Sequence, residues 1–181
     1  MQLKTIVITG PESTGKSTLA AQLADHFNTQ WVPEYARTYI DQLDRPYCES
    51  DLLTIAKGQF DTERQMVLQA ERPVFLDTSL EVIKIWSEKK YGRCHPWITE
   101  KLKTNPHDLY LLCQPDIPWQ FDPQREHPNE RKELFNLYRQ ELTEQNTNFV
   151  LISGLKEKRL SKALQYVEPY FHIPRFANHA Q

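Results

Sequence analysis

An α/β fold, a three-layer sandwich around a mostly parallel five-stranded sheet, follows from three features of the sequence. Short β-branched or continuous apolar runs recur along the chain, each is followed by a segment with helical spacing, and the first run leads straight into a glycine-bracketed turn. Strands that alternate with helices pair in parallel through right-handed crossovers, which puts helices on both faces of the sheet.

The 181 residues suit one domain with a sizeable core, expected to occupy 1–175 and leave 176–181 as a tail. The first strand is expected over 3–9, and Leu19, Leu23 and Phe27 mark the helix that follows the turn. A second strand at 30–33 precedes a helix signalled by Tyr39, Ile40 and Leu43, which breaks near Pro46. From a cap at Ser50 a longer helix runs to Glu71, with Leu52, Ala56, Phe60, Val67 and Ala70 at helical spacing. The run Val74, Phe75, Leu76 is continuous rather than alternating, as in a strand buried on both faces, and it stops at Asp77. Leu80, Ile83 and Trp86 then predict a helix, and a short helix at 97–103 leads to a fourth strand at 109–113. Helices at 129–143 and 155–167 flank a fifth strand at 149–152, and no internal repeat is present.

Composition excludes several function classes. Lysine plus arginine number 22 against 24 acidic residues, so there is no overall basic field for nucleic acid or anionic lipid. The N-terminus lacks the charged-then-apolar pattern of a signal peptide, and no apolar run is long enough to span a bilayer, so a cytoplasmic location is expected. Cys48, Cys94 and Cys113 are scattered without the spacing of a disulfide framework or zinc site, and the six histidines lack paired helical spacing. Reduced thiols and structural or surface histidines are expected.

The strongest chemical signal is the stretch Gly10-Pro11-Glu12-Ser13-Thr14-Gly15-Lys16-Ser17-Thr18. It satisfies G-x-x-x-x-G-K-[ST] between a strand and a helix, the pattern of a P-loop NTPase. Successive backbone amides at the helix start wrap anionic oxygens, and glycines let the main chain approach them. Lys16 is expected to reach the β- and γ-phosphates of ATP, and Ser17 to place its hydroxyl on Mg2+.

Acidic residues at strand ends supply the rest of the expected chemistry. Asp77 closes a buried strand, at the edge where open parallel sheets place ligands, and suits Mg2+ or substrate; an aspartate there also caps the next helix through Thr78 and Ser79. Glu34 closes the second strand beside Arg37 and is a candidate base or ribose anchor, or a surface carboxylate. The segment 114–130 is proline-rich and aromatic, which excludes a helix interior and fits a lid. Within it Arg125 is the favoured partner of the transferred phosphoryl, with Arg131 a second candidate, and Trp119 either stacks on a flat base or packs beneath the loop. Gly154 follows the fifth strand, where an adenine lies against the backbone.

Three of these motifs together resemble a known family. The loop Gly-Pro-Glu-Ser-Thr-Gly-Lys-Ser, then Glu34-Tyr35-Ala36-Arg37, then Pro115-Asp116-Ile117-Pro118-Trp119 look like the ribosylnicotinamide kinase domain of NadR-type proteins, in the family's order and over nearly the whole chain. The resemblance implies a P-loop kinase that phosphorylates the 5′-hydroxyl of nicotinamide riboside with ATP and Mg2+. The H-x-G-H signature of the adenylyltransferase domain in longer family members is absent from this sequence, so adenylation is not expected of it. Tyr35, Arg37, Asp116 and Trp119, at the carboxyl ends of successive strands, are then candidates to enclose the riboside. A kinase for another nucleoside or small alcohol shares the loop and lid but not the acceptor pocket; a regulatory ATPase or NAD-responsive binding module hydrolyses or holds the nucleotide without making a phosphorylated product.

Overall fold

Isoleucine and valine alternate through β1 (Thr5–Thr9), and because successive strand side chains point to opposite faces, Ile6 and Ile8 pack into one helical layer and Val7 into the other. Residues 4–171 are described in this computed structural model. After β1 come α1 (Lys16–Phe27), β2 (Trp31–Val32), α2 (Tyr35–Asp41), α3 (Glu49–Gln69), β3 (Val74–Asp77) and α4 (Leu80–Tyr91). The chain continues through α5 (Pro96–Thr104), β4 (Leu109–Cys113), α6 (Arg131–Glu144), β5 (Phe149–Ile152) and α7 (Glu157–Phe171).

The strands form one sheet in the order β2-β3-β1-β4-β5, with every described pairing parallel. The central strand is β1, where Ile6 is in register with Phe75 of β3 on one side and Leu109 of β4 on the other. Leu19, Leu23, Ala163 and Val167 bring α1 and α7 onto one face, over Ile6, Ile8, Phe75 and Leu111. Val82, Ile85, Leu134, Tyr138 and Leu142 bring α4 and α6 onto the other, over Val7, Leu76, Tyr110 and Leu112. A third cluster ties α2, α3, α4 and α5 together through Ala36, Leu52, Ile55, Leu80, Ile83, Ile98 and Leu102.

This topology fixes where a ligand can bind. The helix after β1 turns to one face of the sheet while those after its neighbours β3 and β4 turn to the other, which opens a crevice at the carboxyl end of β1.

Several boundaries differ from the sequence reading. The second strand keeps only Trp31 and Val32, and α2 begins at Tyr35, so the Glu34-to-Arg37 motif lies on a helix start rather than a strand end. The cap of α3 is Cys48, not Ser50: the Cys48 amide donates to Asp51 Oδ2 at 2.7 Å, and a carboxylate reaching back from the third helical position satisfies the otherwise orphaned amide. Leu3 and the expected tail at 176–181 lie outside the described residues.

Candidate active site

Glycine sets the geometry of the loop after β1. Gly10 has a φ of +128°, and a Cβ there would stand 2.7 Å from the Cys113 carbonyl oxygen, so any side chain would push the loop off β4. Ser13 (φ 53°) and Gly15 (φ 75°) both take left-handed conformations, which turns successive amides toward the loop's concave side. Within the loop, Thr14 Oγ1 donates to the Pro11 carbonyl at 2.8 Å, and Lys16 Nζ donates to the same oxygen at 3.0 Å. No side chain caps α1 and no acidic residue stands in its first turn, an arrangement that leaves its first amides and partial positive charge suited to an anion.

The loop forms one wall of a cavity of about 990 Å³. One end is lined by Thr18 and Gln22 of α1 and by Leu155, Lys156 and Leu160 beyond β5. Toward the other lie Glu34, Arg37, Val82, Trp86 and Tyr138, covered by Gln120, Asp122, Gln124 and Arg125 of the 114–130 segment. Gly10, Glu12, Ser13, Thr14, Gly15, Lys16, Ser17 and Thr18 all contribute to the wall.

Two carboxylates sit close to Lys16. Burial raises the pKa of Glu34, with Lys16 opposing and Asp77 reinforcing the shift. Asp77 is raised by burial too, opposed by Lys16, the Ser17 hydroxyl and Arg37. Its side chain lies beneath the loop rather than on the cavity wall, and Oδ1 is buried without a hydrogen-bond partner. Thr78, next in the chain, holds φ at +68°, a costly conformation for a β-branched residue. Gln59 of α3 bridges the two acidic turns: its Oε1 accepts the Tyr35 amide at 2.8 Å, and its Nε2 donates to the Thr78 carbonyl at 3.5 Å. Nothing in the sequence pattern separates Gln59 from an ordinary helix residue.

The remaining expected residues are placed differently from one another. Arg37 pairs with Asp122 at 2.9 Å across the cavity mouth, and Gln124 Nε2 reaches Asp41 at 2.5 Å, so the covering segment is tied to α2. Tyr35 faces away from the cavity and packs on Gly58, where a Cβ would meet its ring at 2.2 Å. Asp116 lies outside the wall, pairs with the buried Arg159 and accepts the Gly154 amide at 2.6 Å. Arg159 also donates to the carbonyls of Gly154 (2.9 Å), Thr14 (3.0 Å) and Gln114 (3.2 Å), tying the loop to the ends of β4 and β5. Gly154 therefore shapes this junction, off the wall. Trp119 is also off the wall, with the guanidinium groups of Arg125 and Arg131 5.9 and 5.7 Å from its ring centre. Arg131 donates to the carbonyls of Ile117 (2.9 Å) and Ser13 (3.2 Å).

Trp86 and Tyr138 are among the cavity residues that sequence reasoning passed over as candidates, together with Gln22, Val82, Gln120, Asp122 and Gln124. Trp86 entered it only as a helix-spaced apolar residue, and the one available signal was a large aromatic following Val82 by one turn on the same face.

The sequence matches the AAA domain family over residues 5–159. The chain belongs to this family. Among curated proteins, it is 33% identical over 174 residues to the trifunctional NAD biosynthesis/regulator protein NadR of Escherichia coli (strain K12), covering 92% of this chain and 42% of that protein. It is 31% identical over 156 residues to NadR of Salmonella typhimurium (strain LT2), covering 82% of this chain and 38% of that protein. The chain thus spans less than half the length of the curated relatives it matches. A crystal structure of NadR in complex with NAD and AMP-PNP superposes with a TM-score of 0.82 at 22% identity, over 96% of this chain and 51% of that one. Thymidylate kinase from Ehrlichia chaffeensis superposes with a TM-score of 0.65 at 12% identity, over 93% and 99%. These likenesses establish a shared P-loop NTPase-like α/β fold.

Proposed function

We propose that this AAA-domain protein is an ATP-dependent kinase that phosphorylates nicotinamide riboside to nicotinamide mononucleotide. The observation that carries the reading is a carboxylate, Glu34, and two aromatic residues, Trp86 and Tyr138, sharing one cavity with the phosphate loop. A nucleoside needs both an apolar face for its base and a polar anchor for its hydroxyls. Similarity to NadR, one structure of which holds NR, supports this acceptor.

In this reading the triphosphate lies in the loop, with the adenine toward Thr18, Gln22, Leu155 and Leu160. Lys16 leaves the Pro11 carbonyl for the β- and γ-phosphates. The acceptor lies at the Trp86–Tyr138 end, its 5′-hydroxyl beside Glu34. The hydroxyl oxygen attacks the γ-phosphorus in line, the bond to the β-bridging oxygen breaks, ADP leaves and the hydroxyl proton passes to Glu34. A carboxylate whose pKa is raised by burial is suited to accept that proton near neutral pH. Arg125, on the cavity roof, offsets charge on the transferring group and with Gln120 and Asp122 excludes water.

The residues present fit Mg2+. Asp77 offers an unpartnered buried oxygen beside the Ser17 hydroxyl, and no group of three or more His, Cys, Asp or Glu among the described residues gathers to hold a metal. That donor set suits a cation which takes most of its ligands from phosphate and water. When bound it neutralises charge on the phosphate oxygens. A cytoplasmic setting supplies ATP and suits the free Cys48, Cys94 and Cys113, while no described helix is long and apolar enough to cross a membrane.

The test is mass-spectrometric product detection after incubation with ATP, Mg2+ and nicotinamide riboside, beside adenosine, uridine and thymidine. Nicotinamide mononucleotide as the dominant product is expected. Preference for another nucleoside would replace the acceptor, and ATP loss with no phosphorylated product would indicate an ATPase.

A further inference from the structure

Glu12 stands at the third position of a loop that otherwise presents amides and an ammonium to an anion, and a carboxylate there is repelled by any triphosphate. Its two oxygens are turned to other partners. Oε1 accepts the Glu126 amide at 3.1 Å and Oε2 the His127 amide at 3.3 Å. Next to it, Ser13 Oγ accepts the Gln120 amide at 2.9 Å, and the Ser13 carbonyl accepts from Arg131 at 3.2 Å. The covering segment is thus fastened to the phosphate loop on both sides of three of its cavity-lining residues, Asp122, Gln124 and Arg125, which fall between Gln120 and Glu126. From the scaffold side, the Glu126 carboxylate accepts from the Tyr47 hydroxyl at 3.1 Å and pairs with Lys90 at 3.6 Å. The root of the segment therefore stays attached to the body of the protein even without Glu12.

We propose that Glu12 is a positioning residue: its carboxylate latches the 126–127 amides to the phosphate loop, so that the roof carrying Arg125 is held at a fixed height over the transferring phosphoryl group. This rests on reading the cavity as a phosphotransferase site. The latch sets how the phosphoryl group is shared between the acceptor and water. Without it the loop still binds nucleotide, but the roof rises, Arg125 is misplaced and water enters.

Amide hydrogen exchange resolved by residue, on the nucleotide-free protein, tests the latch without any turnover. A charge-assisted bond to each amide predicts exchange at Glu126 and His127 faster by about 10-fold or more in Glu12→Ala. Glu12→Gln retains one acceptor oxygen and is expected to fall between, while the Gln120 amide, held by Ser13, changes less. With ATP, Mg2+ and nicotinamide riboside, Glu12→Ala is expected to raise the ratio of inorganic phosphate to phosphorylated riboside about 10-fold and lower kcat, with KM for ATP changed less than about 3-fold. Unchanged exchange at both amides would overturn the proposal. So would faster exchange with an unaltered product ratio, or an equal loss in every kinetic constant, which would mark Glu12 as merely structural. If the wild-type protein phosphorylates no acceptor, the wider reading fails and the exchange measurement still decides whether the latch exists.

Discussion

The two halves of the cavity are built on opposite principles. Its phosphate half is one uninterrupted stretch, Gly10 to Thr18, whose working groups are main-chain amides fixed by left-handed turns at Ser13 and Gly15. The half proposed to take the acceptor gathers side chains from α2 and its start, α4, α6 and the 114–130 segment, residues as far apart as Glu34, Trp86, Asp122 and Tyr138. A backbone-made site is specified by a local motif and tolerates distant change. A side-chain site depends on every helix that delivers a member, so substitutions should remove phosphate chemistry in the first half and alter acceptor choice in the second.

The largest effect is expected at Lys16. Lys16→Ala should lower turnover by about 10³-fold or more, since it removes the ammonium from the phosphates, and Asp77→Asn should act comparably. Both should melt within a few degrees of the wild type, because among the described residues the Lys16 ammonium bonds only to its own loop, while Asp77→Asn keeps the side chain's shape at a site whose Oδ1 has no partner. Steady-state kinetics with thermal unfolding checks both, and full turnover in either variant would remove that residue from the mechanism.

Glu34→Gln should cost about 10²- to 10³-fold in kcat if the carboxylate accepts the hydroxyl proton. Because burial raises the Glu34 pKa, the wild-type rate should climb as pH rises through that raised value, where the carboxyl loses its proton. The variant should lose that limb of the pH–rate profile. A loss confined to KM would make Glu34 a ribose anchor instead.

A stability effect distinguishes the scaffold under the acceptor half. Both oxygens of Glu81 on α4 are buried without a partner, and burial pushes its pKa up to about 7. A carboxyl whose folded pKa lies above its unfolded value holds its proton better in the folded state. Its contribution is therefore complete below an unfolded pKa near 4.5 and is lost as pH rises through about 7. Glu81→Gln should gain on the wild type between pH 5 and pH 8 by on the order of 3 kcal/mol, read from denaturant unfolding at the two pH values. Equal differences at both would refute the shift.

The smallest effect sharpens acceptor choice. Trp86→Leu should raise KM for the riboside about 10-fold while leaving KM for ATP nearly unchanged, as loss of one aromatic face predicts. An equal rise in both constants would erase the division between the halves.

The sequence disclosed the contiguous half and only part of the other, for geometric reasons. Strands β3, β4 and β5 were legible because buried parallel strands are continuous apolar runs, and the loop because its chemistry requires glycines at fixed spacing. Glu34 and Arg37 were legible as a pair and reach the same cavity because three residues make nearly one helical turn. Tyr35 falls about 100° away on that turn and faces Gly58 instead. Asp116 looked like a pocket residue from its position after β4, but the buried guanidinium of Arg159, invisible to local pattern, needs a carboxylate and takes it. Trp86 and Tyr138 were hidden because helix periodicity gives core and cavity residues the same signature.

Phosphorus-31 NMR of the protein with ATP, Mg2+ and nicotinamide riboside tests the central claim most directly, since the two halves of one cavity are held to pass a phosphoryl group between them. The account predicts that the γ-phosphate signal is replaced by a phosphomonoester resonance together with ADP. An inorganic phosphate resonance alone, or an unchanged ATP spectrum, would contradict it.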